Sequence, residues 1–426
     1  MIFVALVLCL ANDQDKSCRE ASASVLQSLV KKLGEGERKV FVGHLHTWAS
    51  QRGQAKLRAV AVQVYGLIID ALQGEASPHA SALFADAQQI LDDSIQSLTM
   101  SGGDGDSMDV DVEWQPPYQA MLVVSKLLQS LPEHTLDAVK STQDKIIPHL
   151  LFPHAWVRTA ACRLLGVFFA FHSTSSSESS HLTLQLMKDI AEKLCTQLKS
   201  PHLDASLGLQ IVKNLFFVGK WFCTVPSSSL SGSNTDNTAE VADMDSDGDE
   251  SDSVEHSTQM SRGRSQDPLP WLFSKLSYQA RSAHIARRNR GNAPNQTAWS
   301  FAPLSILRFF AAMASHMQAS QLEKFLPHIL TPVYRITEDD TIRDTGMEEL
   351  KTTATELLDL LQTKVGTTIF ANTYNRIRQG ASTIQQERRV ARATKATTNP
   401  EAAAKRKLAR NAGKKESRKR KNRAFA

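Results

Sequence analysis

Apolar residues recur at steps of three and four along nearly all of the 426-residue chain, and no stretch sustains the alternation of a half-buried strand. The pattern predicts an all-α protein whose helices come in pairs. Met1–Leu10 turns at Asn12-Asp13 into Asp15–Leu33, and Glu37–Gln51 passes Gly53 into Gln54–Leu72. Gln143–Leu151 turns at Pro153-His154 into Ala155–Phe171, and His181–Leu198 turns at Ser200-Pro201-His202 into Leu203–Phe222. Trp299–Met317, Ser320–Ile336 and Gly346–Val365 close the series.

Three of the second helices open alike. Ser17-Cys18-Arg19-Glu20-Ala21, Lys56-Leu57-Arg58-Ala59-Val60 and Trp156-Val157-Arg158-Thr159-Ala160 each place an apolar residue or Cys, then an Arg, then small or apolar residues in the first turns. Arg19 and Arg58 are 39 residues apart, and the later pairs repeat at roughly 45, periods that fit helical hairpins of the HEAT and armadillo type. One such hairpin cannot bury its own apolar face, so stacking must supply the partner and the core becomes one long seam. Arg19, Arg58 and Arg158 are expected to bond loop carbonyls or acids of neighbouring repeats, as structural rather than catalytic residues.

Polar tracts punctuate the array. They divide it into HEAT-like repeats over 1–100, an acidic insert over 101–113, repeats over 114–225, a serine-rich acidic linker over 226–268, repeats with a basic lead-in segment over 269–373 and a basic tail over 374–426. A serine-rich loop also runs from Ser173 to Ser180. Within the linker, Asp236 to Glu255 holds nine acidic residues and no basic one. Such a stretch buries too little apolar surface to offset its ordering entropy, so disorder is expected. Ser246, Ser251 and Ser253 precede acids there and suit acid-directed phosphorylation.

Composition excludes two classes. With 42% hydrophobic residues, 20 Gly and 15 Pro, the chain is too apolar to be disordered throughout and too poor in Gly and Pro to be fibrous. The net charge of +5 averages unlike parts. Tyr374 to Ala426 carries 17 Lys/Arg against 3 Asp/Glu, or +14, leaving −9 on the preceding 373 residues. Cys9, Cys18, Cys162, Cys195 and Cys223 are scattered, with no metal-ligand spacing, and read as reduced, buried thiols. The Met1–Leu10 stretch lacks a basic n-region and a small-residue cleavage site, and it is too short to span a bilayer. It is expected to be a buried helix whose upstream neighbours belong to a longer protein.

Candidate chemistry is sparse. Asp243-Met244-Asp245-Ser246-Asp247-Gly248 matches the first half of an EF-hand loop, but its twelfth position is Val254, so a calcium ion would be under-coordinated. Asp104-Gly105-Asp106 fails sooner, at Met108. No P-loop, GxGxxG, HExxH or GxSxG is present. His44, His46, His149 and His154 read as core or capping residues, and Glu338-Asp339-Asp340 beside Thr341 as a cap for the following helix. No catalytic residue, metal ligand, cofactor, small-molecule substrate or membrane contact is expected.

Basic segments carry the functional signal. Arg281, Arg287, Arg288 and Arg290 follow Lys275, Tyr278 and interleave His284 just after the linker. The tail adds Arg376, Arg378, Arg388, Arg389, Arg392 and Lys395, a break at Pro400, then Lys405-Arg406-Lys407, Arg410, Lys414-Lys415 and Arg418-Lys419-Arg420-Lys421. Lys405, Arg406, Lys407 and Arg418 to Lys421 suit an import receptor's acidic groove, and the whole set suits neutralisation of RNA phosphates. Tyr374 and Phe425 are the tail's aromatic residues, which favours backbone contact over base stacking. Thr383–Ala396 and Glu401–Ala412 have helical character.

Val7-Leu8-Cys9-Leu10-Ala11-Asn12-Asp13 with Cys18-Arg19-Glu20, Trp271-Leu272-Phe273-Ser274-Lys275-Leu276-Ser277-Tyr278, the hairpins from Trp299 to Val365, and Asn399-Pro400-Glu401-Ala402-Ala403 in a basic tail form an ordered set. That set resembles the carboxy-terminal part of the giant HEAT-repeat subunit of the small-subunit processome, the down-regulated-in-metastasis protein family. The resemblance implies a non-catalytic nucleolar scaffold joining the U3 small nucleolar ribonucleoprotein, pre-ribosomal RNA and other processome proteins during 18S rRNA processing. The alternative is a nuclear transport receptor or general adaptor of the same architecture, whose acidic surfaces the −9 body would mimic; the basic tail argues against it.

Overall fold

The computed structural model describes residues 2–101, 113–130, 135–174, 182–200, 202–224, 267–290, 298–342 and 344–398, and beyond these a few tail positions as far as Lys415. The acidic insert over 102–112, the serine tract over 175–181, the EF-hand-like motif and the linker through 266 lie outside the described residues.

Sixteen α-helices are described and no strand among them. They are α1 (Ile2–Asn12), α2 (Lys16–Lys32), α3 (Glu35–Ala49), α4 (Ala55–Leu72), α5 (Ser77–Ser101), α6 (Gln115–Ser130), α7 (Thr135–His149) and α8 (Ala155–Thr174). The remainder are α9 (Leu184–Gln197), α10 (Ala205–Thr224), α11 (Pro268–Arg290), α12 (Phe301–His316), the short α13 (Ala319–Glu323), α14 (Leu326–Thr337), α15 (Thr345–Val365) and α16 (Thr367–Thr398). Starts and stops follow local chemistry. Asp15, Thr183 and Asp344 accept from the backbone N–H of Ser17, Leu186 and Met347 at 2.9, 3.2 and 2.8 Å, closing orphan donors of α2, α9 and α15. Gly366, at φ 91°, ends α15 in a backbone conformation that disfavours a side chain.

The hairpins stack into a HEAT-like solenoid of two layers. α2, α4, α6, α8, α10, α12 and α15 lie side by side in one layer, while α3, α5 and α7, then α9, α11, α14 and α16, line the other. Turns inside a hairpin therefore fall on one edge of the array, and connections between hairpins on the opposite edge. A continuous apolar core runs from Val7 to Val365. Hairpin α5/α6 and helix α11 are elements that the periodicity did not single out. α11 is the first helix of a hairpin with α12, so the basic segment expected to precede that hairpin is part of it.

The two blocks expected on either side of the linker are one array. α10 packs on both α11 and α12, Lys275 Nζ donates to Glu192 at 3.0 Å, and Gln279 Nε2 donates to the Cys195 carbonyl at 3.1 Å. The approach of α10 to α12 is close: a Cβ added at Gly208 would fall 2.6 Å from Ser305 Oγ. Ala298–His316 is long and apolar enough to cross a bilayer by length and composition, but it is a 3-10 turn at Ala298–Ser300 followed by α12, which packs between α10 and α15.

α1 buries Val7 and Leu10 on α2 and α4 and leaves Ile2, Val4 and Leu8 exposed, so it is apolar on all sides but buried along one stripe. Burial of the cysteines is likewise uneven. Cys162 and Cys195 are buried, which pushes both thiols up to about 12, whereas Cys18 is exposed.

At the hairpin edge, each repeat arginine turns back onto the carbonyls that helix ends leave unpaired. Arg19 donates to the Asp13 carbonyl at 2.9 Å, and Arg158 to those of Phe152 and Pro153 at 2.8 and 2.6 Å. Arg58 donates to the Ala49 carbonyl at 2.8 Å and to Asp93 of the next hairpin at 2.5 Å, both residues being buried. Asp93 also meets Arg52 Nη2 at 2.9 Å and accepts from Gln89 Nε2 at 3.0 Å, so Arg58→Leu removes its buried partner and leaves the exposed one. We expect a loss of about 2 to 3 kcal/mol in denaturant unfolding, part of which the double variant Arg58→Leu/Asp93→Leu recovers.

His149 is enclosed between α5 and α8. Its Nδ1 contacts the Lys145 carbonyl at 2.7 Å and its Nε2 contacts Ser94 Oγ at 2.7 Å. Burial pushes its pKa down to about 4, against the pull of the Lys145 carbonyl and the Asp92 charge. An unfolded histidine near 6.5 binds its proton first, so this contribution to stability is complete above pH 6.5 and is lost as pH falls from 6.5 towards 4. Urea unfolding across that window shows a decline of up to about 3 kcal/mol that His149→Gln flattens.

Candidate nucleic-acid interface

Helix α11, which carries the first basic segment, and helix α16, which opens the basic tail, both pack on α14 at one end of the array. α11 and α14 both end at the hairpin edge, where the turn over 338–344 leads into α15. α16 runs parallel to α14: the Tyr374 ring meets the edge of Tyr334 at 5.7 Å, and Phe370, Tyr374 and Ile377 pack on the core. Past Ile377, α16 continues for 21 residues, about 30 Å of helix. Beyond Ile384 its described side chains are all exposed, including Arg389 and Val390. Its Ala, Arg and Gln residues favour the helical state by their intrinsic propensity.

Two buried contacts build the platform beneath it. His284 on α11 lies 3.0 Å from Asp339, and Asp339 accepts from the backbone N–H of Thr341 at 2.8 Å and from its hydroxyl at 2.5 Å. Burial holds His284 below its ordinary pKa in spite of Asp339, with Arg288 and Arg335 adding repulsion. Burial opposes the Asp339 charge, but the Thr341 hydrogen bonds, His284 and Arg288 outweigh it and keep that carboxyl low. The expected cap role for the 338–340 acids falls instead to Asp344, while Asp339 braces the turn against α11.

The second contact corrects an expectation. Arg287 does not face solvent: it is buried and reaches Asp344 through Nε at 3.2 Å and Nη2 at 2.9 Å, and Trp299 Nε1 donates to the same oxygen at 3.2 Å. A buried guanidinium engaged twice by a carboxylate has no face to offer a phosphate. Arg281 is half-buried and Arg288 exposed. Arg290 lies in the last turn of α11. Arg376, Arg378, Arg389, Lys405, Lys407 and Lys415 are exposed. Positions 388, 392 and 395 lie within α16, on the helical face that carries Phe370, Tyr374, Ile377 and Ile384 further back. Arg406, Arg410, Lys414, Arg418, Lys419, Arg420 and Lys421 lie outside the described residues. Arg335, half-buried at the end of α14, joins the cluster without having been singled out; an isolated arginine in an apolar helix gives no signal until its neighbours are known.

No group of three or more His, Cys, Asp or Glu able to hold a metal exists among the described residues. His46, Asp86 and Tyr65 form a chain, with His46 Nδ1 2.7 Å from one Asp86 oxygen and the Tyr65 hydroxyl donating to the other at 2.6 Å. Burial and Asp86 push the Tyr65 phenol up. The geometry is that of a crosslink between α3, α4 and α5. A groove of about 410 Å³ opens where Trp114, Tyr118 and Trp156 face Lys16, Arg19 and Glu20, with Trp114 stacked on His154 at 4.1 Å.

The fold and this end define a class: an all-α HEAT-like solenoid that terminates in a cationic helix. The chain belongs to the family described as small subunit processome component 20 homolog, C-terminal, whose model matches residues 121–424. That is the family which the ordered stretches resemble. It is 28% identical over 413 residues to U3 small nucleolar RNA-associated protein 20 of Schizosaccharomyces pombe, covering 94% of this chain and 14% of that protein. It is 21% identical over 420 residues to the protein of the same name from Saccharomyces cerevisiae, covering 98% of this chain and 15% of that one. The chain thus spans about one seventh of the length of these curated relatives. Among solved structures, the TSC2 N-terminus is similar at TM-score 0.33 and 12% identity, over 88% of this chain and 90% of that one. A structure of Kap95p with RanGDP is similar at TM-score 0.32 and 12% identity, over 88% and 50%.

Arg287→Ala lowers the unfolding free energy by roughly 2 to 3 kcal/mol because it leaves Asp344 with the Trp299 and Met347 hydrogen bonds but without its buried guanidinium. Arg378→Ala changes stability by less than about 0.5 kcal/mol. Thermal melts of the two variants separate the structural arginine from the exposed one.

Proposed function

We propose that this chain is a non-catalytic scaffold segment of the small-subunit processome, acting in nucleolar 18S rRNA processing and 40S ribosome biogenesis. Its solenoid takes partner proteins, and its cationic end takes pre-rRNA in the U3 small nucleolar ribonucleoprotein. The observation that carries the reading is the convergence of Arg288, Arg335, Arg376 and Arg378 on one edge, continued by α16, in a chain of this family. Both curated relatives bear names associated with U3 small nucleolar RNA.

In physical terms the tail acts on phosphate charge. A helix that carries scattered cations along a stretch whose described side chains are exposed follows a backbone of any sequence and releases counterions as it binds. Lys405, Arg406, Lys407 and Arg418 to Lys421 serve in addition as the nuclear import signal. Catalysis has no part in this account, since no nucleophile, metal set or cofactor site is assigned a role. Family membership and the basic end both favour this reading over a transport receptor.

Titrating the full chain into a labelled pre-18S rRNA fragment gives a steep fall of affinity with salt. Removing 374–426 weakens binding, and each phosphate that the protein no longer neutralises flattens the slope of log affinity against log salt by about 0.7 to 0.9. Equal affinity and slope without the tail would refute the assignment.

A further inference from the structure

Acidic side chains are missing from one run of neighbouring helices in this solenoid. Although the body is net negative, α6, α8, α10 and α12, four consecutive helices of one layer, contain no Asp or Glu. At their outer ends, Lys126 reaches Asp70 of α4 at 2.5 Å and Arg308 reaches Glu349 of α15 at 3.2 Å. Between those pairs, Arg163 on α8 and Lys213 and Lys220 on α10 are exposed.

Aromatic rings are interleaved with these cations. On α10, Leu209, Lys213, Phe216 and Lys220 follow one another at four, three and four residues, which puts them on one helical face. Leu209 is 46% exposed, and Phe216 and Phe217 are partly buried, packed against the core with some surface left exposed. The Phe217 ring is backed by Phe169 of α8, stacked at 4.2 Å. Phe216 is flanked by His316 of α12, edge-on at 5.8 Å, and by Lys220 Nζ at 5.8 Å from the ring centroid. The rings are therefore held in place by the core and by their neighbours, and each keeps part of its surface exposed among the described residues.

We propose that the outer face of α8, α10 and α12 is a base-stacking site for single-stranded RNA, with Phe216 and Phe217 as platforms and Arg163, Lys213 and Lys220 as phosphate contacts. Rigid aromatic faces between cations, with no carboxylate in the helices that carry them, are what an unpaired strand requires. This surface supplies what the tail lacks, for the tail has charge without stacking rings. The inference shares with the proposed function the premise that RNA is a ligand, but it concerns a separate surface.

The test uses the full chain and a 4-thiouridine-substituted single-stranded oligonucleotide, with photocrosslinked peptides mapped by mass spectrometry. Crosslinks are expected in the α10 peptide spanning Leu209 to Lys220 as well as in the tail. Phe216→Leu, which keeps charge and nearly keeps volume, removes the α10 crosslink. It also weakens single-strand binding by roughly fivefold or more, leaving a matched duplex unaffected. Lys213→Ala/Lys220→Ala lowers the salt slope by about 1.4, near 0.7 for each phosphate. Thermal melts must show both variants folded; if Phe216→Leu unfolds, the lysine pair decides.

Crosslinks confined to the tail would overturn the stacking site while leaving the tail reading intact. Crosslinks that persist on α10 after removal of 374–426 would uphold the site even if the tail reading failed. Binding at this face of an Asp/Glu-rich peptide with the sequence of residues 236–255, with no single-strand crosslink, would make it a protein interface and overturn the proposal.

Discussion

Every feature of this chain depends on one constraint: a helical hairpin has more apolar surface than its two helices can cover for each other. Tyr65, Phe168 and Phe273 are fully enclosed because neighbouring hairpins cover them. A repeating unit that must be stacked grows in one direction, so the protein acquires two layers and two edges rather than a closed core. The hairpin edge is where the backbone is least satisfied, since helices end there and reverse. Arg19, Arg58 and Arg158 meet those carbonyls, and Arg58 also ties one hairpin to the next through Asp93.

The same geometry decides where charge can act. In the final hairpins the pairing is inverted: the arginine sits on the α11 side and the acid, Asp344, heads α15. This fixes the edge from which α16 leaves the array. Long polar insertions are tolerated because loop closure costs grow slowly with length, so the 226–268 linker interrupts the sequence without interrupting the packing between α10 and α12. Its two ends lie on the connection edge, opposite the edge at which α16 emerges.

Much of the fold was legible in the residues. Helix period, pairing and repeat arginines follow from local rules that each hairpin obeys separately. Hairpin α5/α6 was harder to resolve, because its turn is replaced by an acidic insert. Of the basic site, the tail was legible as a run of charge. The role of Arg287 was not: Arg287 and Arg288 are adjacent and chemically identical, and the helical rotation between neighbours turns one onto Asp344 and the other to solvent.

The sequence by itself determined the class of protein, the repeat, the family and the cationic tail, because all of these are written in periodicity, spacing and composition. Tertiary structure alone decided which cations share a surface. Arg288, Arg335 and Arg378 are brought together by hairpin reversal, and the acid-free helices become neighbours only when alternate helices of the chain form one layer. Sequence order records which residues follow one another along a helix. It does not record which residues of different hairpins stand side by side, since stacking sets those contacts across separations of forty residues and more.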